Sequence, residues 1–218
     1  KRGGQATIFL SEIIKLCAGQ LFPGETARYA LLVLASSAGW LGFARGASPE
    51  MLFTAALAGA LGLLAVWVWR GRDALLYGFY ALLALAVLAK GPTAMVLIAL
   101  VLGTYCLVTG EYRWLLRVLA PGPLLLFVVV ALPWYVAVYQ QNGNRFIEDF
   151  ILKHHFRRFT TAELAHPGPW WYYLPVVAGG IFPWTAHLAL IVADLARLRW
   201  QGLRNDQRRI FLLAWVAP

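Results

Sequence analysis

Apolar runs of roughly membrane-crossing length, punctuated by short charged or Gly-Pro links, make up most of this chain. A spanning helix needs about 20 apolar residues. Residues 1–26 fall short, because Ser11, Glu12, Lys15 and Gln20 interrupt them, and they read as a juxtamembrane helix ended near Pro23-Gly24. Crossings are expected at 27–45, 51–69, 74–89, 93–109 and 117–139, the last kinked or shortened by Pro121, Pro123 and Pro133. A long polar interval fills 140–170. A sixth crossing at 171–193, a basic segment from Arg197 to Arg209 and an unfinished apolar run to Pro218 complete the chain. The pattern predicts an all-α, polytopic integral membrane helical bundle. It divides into a juxtamembrane segment (1–26), a five-span bundle (27–139), a loop (140–170) and further spans (171–218).

Consecutive crossings alternate sides, which sorts the links into two sets. One holds Arg70, Arg72, Arg113, Arg117, Arg197, Arg199, Arg204, Arg208 and Arg209; the other holds Glu50, Lys90 and the long interval. Lys and Arg in short links mark the cytoplasm, so Glu50, Lys90 and the interval are expected to face outward. Outward cations run against that bias and call for another reason.

Composition agrees with a bilayer. The chain is 61% hydrophobic and 13% charged, with mean hydropathy +0.65, whereas soluble domains carry about 25% charged residues. Formal net charge is +9. Basic residues flanking apolar runs explain it through anionic lipid head groups, and no nucleic-acid partner is expected. Cys17 and Cys106 offer no disulfide framework and leave the redox compartment unread. The chain starts without Met and stops inside an apolar run, so it reads as a piece of a longer protein that is expected to be inactive alone. Oligomeric state is not legible.

Candidate chemistry concentrates at the outward links. Lys90, between an apolar run and Gly91-Pro92, is a point charge on a tight break, suited to a phosphate; its plain alternative is a lysine snorkelling at a helix end. Glu50 opens a span, where an acid favours the helix dipole or activates a nucleophile. In the interval, Phe146, Phe150 and His154 recur at helical spacing, which predicts an amphipathic surface helix over about 144–156. His154, His155 and His166 invite a divalent-metal reading, but no recognised ligand spacing joins them. Lys153 and Arg158 beside them favour phosphate or sugar contact instead, so no cofactor is assigned and a metal stays open. Trp170 to Tyr173, including Tyr172, form an interfacial aromatic belt that could also stack on a sugar. His187 and Asp194 share a face of the sixth span, His187 reading as a packing residue. A secondary transporter is the competing class, supported by proline-broken spans.

Several motifs together resemble a known family. They are Ala89-Lys90-Gly91-Pro92, Leu132-Pro133-Trp134-Tyr135, the run from Lys153 to Phe159, His166-Pro167-Gly168-Pro169-Trp170-Trp171-Tyr172-Tyr173, and Phe182-Pro183-Trp184. In order and spacing they resemble the bacterial membrane glycosyltransferases of the dolichyl-phosphate-mannose protein mannosyltransferase and lipid A aminoarabinose transferase type. The resemblance implies a GT-C fold with a periplasmic juxtamembrane helical loop, an inner-membrane location and an inverting transfer of sugar from a polyprenyl-phosphate carrier to a lipid, glycan or protein acceptor. It further implies that Glu50 contacts or activates the acceptor, Lys90 and Arg158 stabilise the phosphate, and His154 and His166 position the donor or the loop. Two departures stand out. The family's leading acidic pair is not found in this sequence, and its second acid, usually Asp, is Glu50.

Overall fold

The computed structural model describes residues 8, 11–12, 15, 17–22, 25–45, 49–143, 170–197 and 206–216. Among them the regular secondary structure is helical: α1 (Thr26–Ser36), α2 (Ala38–Arg45), α3 (Pro49–Arg70), α4 (Ala74–Lys90), α5 (Thr93–Thr109), α6 (Leu115–Val118), α7 (Pro121–Asn142), a 3-10 turn (Trp170–Tyr172), α8 (Tyr173–Ile181), α9 (Thr185–Arg197) and α10 (Gln207–Val216). A further helical stretch covers 17–21.

The centre is the antiparallel pair α3 and α4. Ala55, Ala56, Ala60 and Ala65 on α3 and Ala84 and Ala86 on α4 are almost fully buried. In a bilayer, where apolar surface gains little from leaving lipid, small residues let helix backbones approach and packing supplies the attraction. Glycines end these helices where the chain must reverse. Gly91 (φ 82°) stops α4 by sending its N–H to Val87 O, and Gly110 (φ 72°) stops α5 in the same way on Cys106 O. α5 returns antiparallel to α4, and α10 packs against it through Phe211, whose ring meets Tyr105 and Trp69 at 5.6 Å each.

α7 lies along α4 in the same direction. The Tyr80 hydroxyl donates to Val118 O (2.9 Å) near the start, and the Tyr135 hydroxyl donates to Val87 O (3.3 Å) near the end. Gly122 leaves room at this contact for the Tyr77 hydroxyl, which would lie 2.6 Å from a Cβ there. The start of α3 and the ends of α4 and α7 therefore share one rim, from which the interval 144–169 departs. The end of α3 and the start of α10 lie at the other, where Arg70 and Arg208 donate to Gln20 O and Leu21 O. Glu50 and Lys90 thus stand at the rim opposite Arg70 and Arg208, as alternation had separated them.

α3 and α7 are each long and apolar enough to cross a membrane, with hydropathies of 2.2 and 2.0. An 18-residue window of α3 is 67% buried and that of α7 11% buried, so among the described residues α3 is the hub and α7 lies at the edge. α4 and α5, at 17 residues each, reach about 25 Å at 1.5 Å per residue, near the lower limit for a crossing.

Two expected crossings are broken. The run 27–45 splits at Ser37, whose ψ of 130° leaves the helical region. The run 171–193 splits at Phe182-Pro183-Trp184, with α8 and α9 bent by 111°. The breaks brace each other: Ala38 N–H donates to Phe182 O (2.9 Å) and Trp184 Nε1 donates to Ser36 Oγ (2.8 Å). Nearby, a Cβ on Gly39 would lie 3.0 Å from the Gly180 backbone. Hydropathy stays high through both breaks, and one backbone pair freed by them, Ala38 N–H and Phe182 O, meets across the junction. The fifth expected crossing is resolved into α6 and α7, with Pro121 opening α7 and Pro133 accommodated inside it.

Candidate functional site

Glu50 and Lys90 are 40 residues apart in sequence and meet at the shared rim. Lys90 Nζ donates to Glu50 Oε2 at 2.5 Å, with both side chains close to half exposed (43% and 49%). Local chain chemistry places each. Glu50 sits in the first turn of α3, where the helix dipole favours an acid, and Lys90 in the last turn of α4, where it favours a cation. Antiparallel packing then brings the two helix ends level. The ammonium also lies 5.3 Å from the centroid of the Phe53 ring, one helical turn past Glu50.

Between α4, α5 and α7 lies an apolar cavity of about 310 Å³ lined by Val87, Pro92, Met95, Phe127, Ala131 and Tyr135, among others. Tyr135 couples it to the rim, since its hydroxyl bonds the carbonyl of Val87 one turn below Lys90. The Trp134 ring packs edge-on against Tyr135 at 4.9 Å. A charged, half-exposed pair at the rim and an apolar slot reached one turn below Lys90 suit the two ends of an amphiphile with an anionic head.

The site residues anticipated from the sequence divide by location. Glu50 and Lys90 are brought into direct contact. Tyr172 stands in the 3-10 turn where the chain returns from the interval, exposed, with its ring 5.7 Å from that of Tyr173. Among the described residues no hydrogen bond or ring contact ties it to Glu50 or Lys90. His154, His155, Arg158 and His166, with the amphipathic helix expected over 144–156, lie outside the described residues. No group of three or more potential metal ligands occurs among the described residues. His187 packs its ring 5.2 Å from Trp184, which accords with a packing role.

Phe53 and Tyr135 are the contributors that sequence reasoning did not assign. Phe53 follows Glu50 by three positions and so shares its helix face, a signal available in the spacing. Tyr135 stood inside a quoted motif, but its link to α4 depends on how two distant helices pack.

The fold is a polytopic all-α membrane bundle of the GT-C type. Its backbone superposes on ArnT of Cupriavidus metallidurans bound to undecaprenyl phosphate with a TM-score of 0.77 at 24% identity, over 97% of this chain and 38% of that one. The same protein in the apo state gives 0.75 at 22% identity, over 98% and 38%. In sequence the chain is 33% identical over 163 residues to the undecaprenyl phosphate-alpha-4-amino-4-deoxy-L-arabinose arabinosyl transferase of Pseudomonas aeruginosa (strain LESB58), covering 72% of this chain and 28% of that protein. It is 34% identical over 131 residues to transferase 1 of the same name from Pseudomonas fluorescens (strain Pf-5), covering 60% and 23%. No family model matches. The chain thus spans about a quarter of the length of the curated relatives it matches. The resemblance read from the motifs holds, in that the chain is similar in sequence and fold to proteins named as aminoarabinose transferases.

Proposed function

We propose that this chain forms part of an inverting glycosyltransferase of the bacterial inner membrane. The enzyme moves a sugar from a polyprenyl-phosphate carrier to a lipid, glycan or protein acceptor on the periplasmic side. The observation that carries the reading is the Glu50–Lys90 pair, at 2.5 Å, with an apolar slot lined by Val87, one turn before Lys90 on the same helix. The relatives named above support it, since their names specify a sugar on undecaprenyl phosphate.

In the proposed step the acceptor hydroxyl or amine attacks the anomeric carbon while the bond from that carbon to the carrier phosphate oxygen breaks. The bonding pair leaves with the phosphate, and the acceptor proton passes to a carboxylate. Lys90 stabilises the charge that develops on the leaving phosphate, with Arg158 as its proposed partner. Glu50 receives the acceptor or its proton. The ion pair holds both groups in place before substrate arrives, so little reorganisation remains. The apolar slot takes the first isoprene units of the carrier. His154, His155 and His166 contact sugar or phosphate, Tyr172 stacks on the sugar, and no step runs through a metal ion.

The test is turnover of a polyprenyl-phosphate sugar by the full-length protein. Lys90→Ala and Arg158→Ala, each expressed and inserted, are expected to lose about 100-fold or more. Full turnover by both would overturn the phosphate assignment.

The two braced breaks favour one other reading, a secondary transporter, because such proteins bind substrate where discontinuous helices meet. At this junction, however, the hydroxyls are already engaged: Ser36 Oγ donates to Leu32 O while accepting from Trp184, and Ser37 Oγ donates to Val33 O. Radiolabelled sugar that crosses vesicles without covalent transfer would establish transport instead.

A further inference from the structure

The rim opposite Lys90 carries a second constellation, independent of the proposed reaction. Two arginines from different helices converge on consecutive carbonyls: Arg70, ending α3, donates to Gln20 O at 2.9 Å, and Arg208, at the start of α10, donates to Leu21 O. Both carbonyls close the helical stretch 17–21, where acceptors lack partners within the helix. Each guanidinium carries five N–H donors and directs one hydrogen bond here, so capping uses only part of its capacity. Both arginines are exposed.

Beneath them lies an apolar cavity of about 380 Å³ between the stretch 17–21, α1, α3 and α10. Arg208 itself lines it, together with Leu21, Ala58, Gly62, Trp69 and Trp215. Leu21 carries the carbonyl that Arg208 holds, and Trp69 directly precedes Arg70, so the cationic mouth and the apolar chamber are continuous. The wall residues Ala58, Gly62 and Ala65 are small, which is what leaves the space open.

We propose that this cavity is a binding site for an anionic phospholipid of the adjacent leaflet. One acyl chain enters the chamber between α1 and α3, and the phosphate sits across Arg70 and Arg208. Charge decides the occupant. A zwitterionic lipid could fill the chamber equally well, but it gains less from a doubly cationic mouth, and each arginine near an anionic head group contributes about fivefold in binding. The site is separate from the Lys90 rim, at the other end of α3, so a lipid held here ties the stretch 17–21 to the bundle and does not compete with a carrier at Glu50 and Lys90.

Native mass spectrometry of the full-length protein in detergent, with equimolar phosphatidylglycerol and phosphatidylcholine, tests the assignment. The expected result is a retained phosphatidylglycerol adduct in at least about fivefold excess. The excess should fall to near parity in Arg70→Ala/Arg208→Ala, while Arg70→Lys/Arg208→Lys keeps a clear preference. Ala58→Phe, which fills the chamber and leaves both arginines in place, should remove the adduct, and it decides the matter even if the double alanine variant fails to insert. Equal retention of the two lipids in the unaltered protein would overturn the proposal. So would an adduct unchanged by Ala58→Phe, or no adduct at all, the result expected if another part of the full chain occupies the chamber.

Discussion

The two rims of the bundle use their cations differently. At one, Lys90 meets a carboxylate from a neighbouring helix, and neither side chain is capping a backbone group through that bond. At the other, Arg70 and Arg208 meet main-chain carbonyls at the end of a helical stretch. The arginines stabilise chain ends that would otherwise lack partners. The Lys90 pair joins two side chains on helices that already end normally, at a half-exposed position where such a pair contributes only about 0–1 kcal/mol. That bond by itself therefore adds little to stability.

This contrast can be broken most severely at Lys90. Lys90→Ala in the full-length protein should reduce sugar transfer by about 100-fold or more while shifting stability by no more than about 1 kcal/mol. Paired turnover and detergent melting measurements check it; a large loss of stability with intact turnover would make the pair structural. Almost as large an effect is expected from the exchange Glu50→Lys/Lys90→Glu. It retains an attractive pair and near-normal melting but reverses the two charges, so turnover should stay as low as in Lys90→Ala. Recovery of activity would show that only the pairing matters.

At the arginine rim the order of effects reverses. Arg208→Ala should cost about 1 kcal/mol, the scale of one net hydrogen bond, read as a lower melting temperature with a matched change in protease resistance near residue 21. The smallest effect concerns Cys17, buried beside that rim, whose thiol is pushed up to about 11 by desolvation. Its folded pKa lies above the unfolded value of about 8.5, so the native state retains the proton longer and stability should fall as pH rises from about 9 toward about 11. Melting curves across that range, compared with Cys17→Ala, isolate the contribution. The buried thiol should also react slowly with maleimide at neutral pH until the protein unfolds.

Much of this architecture was legible where charge or glycine punctuates the apolar runs. Arg70-Gly71-Arg72-Asp73, Lys90-Gly91-Pro92 and Gly110-Glu111 mark the ends of α3, α4 and α5 to within a residue or two of the expected bounds. The alternation of these links also placed Glu50 and Lys90 on one side. Their direct contact was not legible, because it depends on the rotational phase of α3 against α4, which alanine packing sets and hydropathy does not record. The breaks at Ser37 and Pro183 escaped for a related reason. Each lies in largely apolar sequence, and the two are joined by tertiary hydrogen bonds from Ala38 N–H to Phe182 O and from Trp184 to Ser36. The histidines and Arg158 of the interval were read from residue type alone and stand as proposals.

Those interlocked bends also bear on biogenesis. The Trp184 indole and the Ser36 hydroxyl it binds are 148 positions apart, so the first crossing leaves the ribosome long before its counterpart is synthesised. Until then Ala38 N–H has no Phe182 carbonyl to meet, and a straight helix through Ser37 satisfies the backbone better within lipid. The early segment is thus expected to enter the bilayer unbent and to acquire its final shape only when the late one arrives, making the bend at Ser37 a product of assembly and not of insertion.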